Sequence, residues 1–273
     1  MILLFLFLMI VMMMNLNKTV VFNEIKIGSN LISSLIDPFL SLGITSLKLS
    51  NTRLCFEDIL QLVEFLKSTD NHLEVLDLSY NPLIGCEGYL LLSEGIESLD
   101  ELNLRGSIIN KKLCPAFFRE SILGSSITKL DLSKIDMGYS NLCFFIFNVA
   151  TTITDLSLMD EIITPEWFTA FFVEILKPHS SLMILNIRLI DHDVTLNETE
   201  LLILIQVLIN NSVLKELDMG GFSINQPDLW IPRIKEALIH NTTLVDLYNY
   251  DLRNCRNFLT TEQRIQRFIK LNN

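Results

Sequence analysis

Apolar residues recur along this chain in clusters of one fixed internal spacing. In Leu73-Glu74-Val75-Leu76-Asp77-Leu78-Ser79-Tyr80-Asn81-Pro82-Leu83, leucines hold the first, fourth, sixth and eleventh places and Asn81 the ninth. The first place recurs at Ile44, Leu99, Ile127, Ile153, Leu182, Leu214 and Leu244. The fourth and sixth places are then Leu47 and Leu49, Leu102 and Leu104, Leu130 and Leu132, Leu156 and Leu158, Leu185 and Ile187, and Leu217 and Met219. In the last cluster Leu247 is followed by Asn249. Successive clusters start about 26 to 32 residues apart, a period that belongs to repeat architectures. Side chains alternate across a strand, so the fourth and sixth places are predicted to face a core and the third, fifth and seventh to face away. Leu73 and Leu83 are expected to fill the same core from the bends. Asn81 is expected to bond backbone groups of neighbouring coils.

Between clusters the apolar period lengthens to about 3.6, which predicts a helix after each strand. Ile59, Leu62, Val63 and Leu66 form one such face behind Phe56-Glu57-Asp58. Thr164-Pro165-Glu166 is a start signal, with a capping hydroxyl, then proline, then an acid. Trp167, Phe168, Phe171, Phe172 and Ile175 follow as its buried stripe. Asn197-Glu198-Thr199-Glu200 has the form of a capping box, and the apolar run from Leu201 to Ile209 predicts a helix sandwiched between neighbours. Pro227 opens another helix, with Trp230, Ile234 and Leu238 inward.

The eleven-place pattern resembles the signature of leucine-rich repeats. Over about residues 44–254 the strand–turn–helix coil is similar to their ribonuclease-inhibitor-like branch. The nearest local match is Asn81-Pro82-Leu83-Ile84-Gly85-Cys86-Glu87-Gly88, similar to that family's Asn-x-Leu-Gly-Asp-x-Gly turn into a helix. The resemblance implies an α/β leucine-rich-repeat solenoid, curved, with parallel strands on the concave face and helices on the convex face. It also implies binding of other proteins through the concave surface. The ninth place departs from the pattern, since Thr52, Ser107, Ile135, Glu161, Ile190, Phe222 and Leu252 stand where Asn is expected. The chain then divides into a hydrophobic segment 1–15, an N-terminal cap or decayed repeat 16–43, about eight repeats in 44–254, and a C-terminal capping helix 255–273. Thr260-Thr261-Glu262-Gln263 would cap that last helix, closing a core otherwise open to water.

Met1 to Met14 is apolar throughout, but as a helix it would span about 21 Å against a hydrocarbon core of ~30 Å, so a membrane span is not expected. A secretory signal or tail and a plain extension covering the first coil both remain open. No Lys or Arg precedes the run and no small-residue cleavage site follows it. Cys55, Cys86, Cys114 and Cys143 recur singly near the start of each coil's helix, with Cys255 fifth. Such spacing reads as small buried hydrophobes kept reduced, which favours the cytoplasm; secretion is the alternative if residues 1–14 act as a signal peptide. Sequons at Asn17, Asn197, Asn210 and Asn241 are no more than a chain this rich in Asn, Ser and Thr would produce.

Nearly half of the 273 residues are hydrophobic, a fraction the buried quota of every coil accounts for. A net charge of −11 argues against nucleic acid, whose phosphates need clustered Lys and Arg, and favours a protein partner with a basic or neutral surface. His72, His179 and His240 read as loop residues before strands. Asp191-His192-Asp193 has no further ligand at metal spacing. No nucleophile elbow, phosphate-cradling glycine loop or Cys-x-x-Cys is present, so no catalysis, cofactor or small-molecule substrate is expected. The outward strand places are the better candidates. An Asp and Asn stripe runs along the fifth place, and apolar and aromatic residues gather toward the C-terminal half. Asp77, Asp131, Met159, Ile184, Arg188, Asp218, Tyr248 and Tyr250 are the predicted partner-binding residues, Tyr and Arg being common interface anchors. The expected function is a non-catalytic protein-interaction scaffold. The alternatives are a regulator of an enzyme, as inhibitor or GTPase activator, and a secreted or surface recognition protein.

Overall fold

The computed structural model describes residues 18–26, 31–107, 122, 125–135, 152–160, 164–175, 181–190 and 194–249. The chain divides into two compact units, Met1–Asp136 and Met137–Asn273. The hydrophobic segment 1–15, Tyr250, the capping helix 255–273, Cys114, Cys143, Cys255, His179 and His192 lie outside the described residues.

The first unit runs β1 (Thr19–Val21), α1 (Leu31–Leu42), β2 (Ser46–Lys48), α2 (Phe56–Leu66), β3 (Val75–Asp77), α3 (Gly85–Leu92), β4 (Glu101–Asn103) and β5 (Lys129–Asp131). Its five strands form an open parallel sheet in sequence order, with Val20, Leu47, Leu76, Leu102 and Leu130 side by side across the ladder. Segment 18–42 thus has a strand and helix in the same order and register as the coils that follow.

The second unit runs β6 (Asp155–Ser157), α4 (Pro165–Ile175), β7 (Ile184–Asn186), β8 (Val194–Leu196), α5 (Glu198–Asn210), β9 (Glu216–Asp218), β10 (Phe222–Ile224), α6 (Pro227–His240) and β11 (Asp246–Tyr248). Here β6, β7, β9 and β11 make a parallel sheet, again in strict register. The pair β8 and β10 forms a separate two-stranded parallel sheet, which the sequence reading did not anticipate. Its signal was there in the apolar–polar–apolar triplets Val194-Thr195-Leu196 and Phe222-Ser223-Ile224.

Burial follows the template. Every first-place residue is buried, and so is every fourth- and sixth-place residue down to Leu247 and Asn249. Ile59, Leu62, Val63 and Leu66 on α2, Trp167, Phe168, Phe171 and Phe172 on α4 and Trp230 and Ile234 on α6 are buried as predicted, whereas Leu238 is only half-buried and Ala237 is buried beside it. Trp167 stacks on Phe171 at 4.8 Å between ring centroids. Thr164 Oγ1 accepts from the Trp167 N–H, and Asn197 and Glu200 exchange the two bonds of a capping box. α5 packs against α4 and α6, yet Leu202 and Ile209 remain close to half exposed, so its sandwiching is only partial.

Leu83 corrects the template. It is 60% exposed, and Ile84 is buried in its place. A 3-10 turn over Pro82–Ile84 rotates the bend by one residue and turns the next apolar side chain inward. Asn81 behaves as expected and is fully buried. Its Nδ2 donates to the carbonyls of Leu49, Leu78 and Ser79, and its Oδ1 accepts from the N–H groups of Thr52 and Leu54. One amide therefore stitches two adjacent coils together. Asn249, inward at a sixth place, is bonded too, donating to the Met219 and Phe222 carbonyls at 3.1 and 2.9 Å. That bonding removes the cost of an unpaired amide in the core, and β11 runs on past Leu247 to Tyr248.

Candidate interaction face

Each strand is only three residues long, but its ladder continues past it. The sixth-place N–H donates to the fifth-place carbonyl of the next coil, as Leu49 does to Asp77 and Ile187 to Asp218. The eighth-place N–H then donates to the next seventh-place carbonyl, as Tyr80 does to Arg105 at 2.7 Å and Asp160 to Arg188 at 2.9 Å. At most eighth places the backbone is left-handed, although Leu189 reaches the Gly220 carbonyl at 2.7 Å without a positive φ. The eighth place has positive φ at Glu24, Asn51, Tyr80, Gly106, Lys134, Asp160 and Gly221. At Gly221 an added Cβ would come within 2.2 Å of the Leu189 carbonyl oxygen, so glycine is required there. Glu24, Asn51, Tyr80, Lys134 and Asp160 carry the strain with ordinary side chains, about 1–2 kcal/mol each.

The sixth- and eighth-place N–H groups bond the next coil, and the seventh-place N–H between them is taken by the fifth-place side chain. Asp77 Oδ1 accepts from Ser79, Asn103 from Arg105, Asp131 from Ser133, Asn186 from Arg188 and Asp218 from Gly220, all at 2.9–3.1 Å. Where Lys48 occupies the fifth place and cannot accept, Asn23 of the preceding coil bonds Ser50 N–H instead. The acidic and amide stripe is therefore a backbone device in both units. Asp77, Asp131 and Asp218 each have that structural task at one oxygen.

Two seventh-place serines depart from the outward prediction, while Ser50 is only half-buried. Ser79 and Ser133 are buried, and so is Ser46 at a third place. Small side chains in the bend are covered by their neighbours, and Ser79 Oγ lies 2.8 Å from Ser50 Oγ.

The remaining outward residues differ between units. In the first unit Lys129 Nζ stands 3.9 Å from Glu101 Oε2 on adjacent strands, and Arg105 Nε donates to the exposed Tyr80 hydroxyl at 2.7 Å. The Tyr80–Arg105 pair was not foreseen, because only the left-handed eighth place brings a ring beside the next coil's seventh residue. In the second unit the third-place row reads Asp155, Ile184, Glu216, Asp246, and the fifth-place row reads Ser157, Asn186, Asp218, Tyr248. Arg188 reaches across to Asp218, with Nη2 at 2.8 Å and Nε at 3.0 Å from Oδ2. Its side chain passes over Gly220, whose missing Cβ leaves the room. Met159, Ile184, Arg188, Asp218 and Tyr248 thus share one open sheet face, all half-buried. Asp77 and Asp131 belong to the first unit.

Other chemistry-bearing residues serve the fold. Cys55 and Cys86 form no disulfide and are half-buried. Cys55 is no inert hydrophobe, because it caps α2 with its N–H and Sγ both directed to Asp58 Oδ2 at 2.9 and 3.1 Å. Burial, then thiol bonds to Glu57 and Asp58, push its pKa up. Burial likewise pushes the Tyr89 hydroxyl up to about 12; the hydroxyl donates to Ser107 Oγ at 2.7 Å. His240 ends α6 with Nδ1 2.8 Å from the Glu236 carbonyl. The Asn241 sequon is buried, its Nδ2 donating to the Leu208 carbonyl at 2.6 Å. Among the described residues no group of His, Cys, Asp or Glu could hold a metal ion, and no described helix is long and apolar enough to cross a membrane.

Neither protein-family models nor curated proteins match this chain.

Proposed function

We propose that the chain is a leucine-rich-repeat solenoid of the ribonuclease-inhibitor-like kind and works as a non-catalytic protein-interaction scaffold in the cytoplasm. The observation that carries this reading is the outward row of the second unit, where Ile184, Met159 and Tyr248 stand half-exposed beside the Arg188–Asp218 ion pair. Large apolar side chains next to a held charge are the composition of an interface core. Strands stacked in register give that face the rigidity that limits the entropy cost of binding. The partner is a protein with a basic or neutral surface. Thiols without disulfides at Cys55 and Cys86 support a reducing compartment.

The test is positional photo-crosslinking. A photoreactive residue at Tyr248 should trap a partner that one at Leu202, on the outer side of α5, does not. In the purified complex, Tyr248→Ala should then weaken binding by about 2 kcal/mol, a hot-spot magnitude, with the melting curve unchanged. Cross-links confined to Leu202 would move the interface to the helices and sink the proposal.

A further inference from the structure

Glu216 and Asp246 occupy adjacent rungs of the second sheet as directly paired residues. Adjacent strands lie about 4.8 Å apart, and like charges set opposite each other destabilise a sheet. In the first unit the corresponding neighbours are Glu101 and Lys129, which neutralise each other across the ladder. In the second unit the rung beside Glu216 on its other side holds Ile184 rather than a cation. The nearby Arg188 is engaged with Asp218. Among the described residues neither Glu216 nor Asp246 has a side-chain partner, unlike Asp218, whose two oxygens serve Gly220 and Arg188.

We infer that this face receives a cationic segment of another protein, in which a Lys or Arg side chain completes the Glu216–Asp246 rung. The inference rests on the interaction-surface reading above and names the partner's chemistry. Ile184 lies in the same row as the two acids and gives the aliphatic stem of a long basic side chain an apolar surface. Tyr248 is two residues along the strand from Asp246 on the same face, where a guanidinium can sit against its ring while bonding the carboxylate. A nucleic acid is repelled by this row. Two side-chain carboxylates without a third ligand make a poor metal site. A basic segment matches both the unbalanced charge and the apolar neighbours.

The test uses the full chain with two fluorescein-labelled octapeptides, one alternating Arg and Leu and one alternating Glu and Leu, followed by anisotropy. The Arg–Leu peptide should bind and the Glu–Leu peptide should not. Glu216→Gln with Asp246→Asn should weaken the Arg–Leu peptide by about five- to tenfold at low salt, and the difference should shrink in about 0.5 M salt. The double variant should melt no lower than the parent, because it removes a repulsion and no bond. Glu101→Gln serves as the first-unit control and should leave peptide binding unchanged. Equal binding of both peptides, equal loss in the control, or no loss in the double variant would overturn the inference. A Tyr248 cross-linked partner that binds the double variant as tightly as the parent would also overturn it, while leaving the sheet-face reading intact.

Discussion

At the third place of its coils the first unit pairs Glu101 with Lys129, whereas the second sets Glu216 beside Asp246 with Ile184 next in the row. Lys48, Arg105 and Lys129 offset Asp77, Glu101 and Asp131 on the first open face. On the second, Arg188 is the cation among the described outward residues, beside Asp155, Glu216, Asp218 and Asp246. Beneath these faces the units share buried fourth and sixth places, extended ladders and fifth-place Asx bonds. Interior and backbone thus answer to one repeated burial problem. The outward third and seventh places are released from it, and there the two halves have diverged. That release concentrates the differences between the units in their outward rows.

Equivalent cores in the two units imply equivalent costs of core truncation. Leu76→Ala in the first unit and Leu217→Ala in the second, both fully buried, should each cost about 2–5 kcal/mol. Hydrogen exchange should rise mainly in the coils flanking each lesion, as expected where a coil touches only its neighbours. Opening of the whole chain as one unit from either site would refute equivalent, locally coupled coils.

The ninth place sharpens the contrast, being polar at Asn81 and apolar at Phe222. Asn81→Leu strands the buried N–H groups of Thr52 and Leu54 and should cost about 3 kcal/mol or more, at roughly 1–3 kcal/mol per orphaned group. Phe222→Leu leaves no polar group unpaired and should cost about 1.5 kcal/mol or less, since it only trims volume. Equal denaturant midpoint shifts for the two would mean that the Asn81 bonds contribute little.

Alkaline pH probes the first unit through Tyr89. Its folded pKa of about 12 lies above the unfolded value near 10. Between the two the unfolded chain has lost a proton that the folded chain keeps, so stability falls as pH rises through that window and is flat below it. The loss amounts to about 2–3 kcal/mol. Tyr89→Phe should abolish this phase, at a cost of about 1 kcal/mol at neutral pH for the Ser107 bond. Ultraviolet titration of the phenolate alongside unfolding curves checks both.

The smallest effect tests the device the units share. Asp77→Ala should cost about 1 kcal/mol by leaving Ser79 N–H unpaired, and Asp77→Asn almost nothing, because the amide oxygen accepts the same bond. Asp218→Ala should cost somewhat more, since Arg188 also loses its partner. If Asp77→Asn were as costly as Asp77→Ala, charge rather than backbone bonding would explain the stripe.

The sequence by itself determined the repeat period, the two buried strand places, the helix faces and their caps, and the bonding role of Asn81. Each coil meets the same demand to bury apolar surface at fixed intervals, and that demand writes a local periodic pattern. What the fifth-place acids do was decided only by the tertiary structure. Read along the chain they form a stripe suited to recognition, but in the ladder they cap the seventh-place N–H of their own coil. That eighth place was itself illegible, since Glu24, Tyr80 and Lys134 carry no local preference for the positive φ they adopt. The Arg188–Asp218 pair and the Glu216–Asp246 rung share one cause. Each depends on which residues about thirty positions apart become neighbours, and that is set by stacking the coils rather than by the pattern within any one of them.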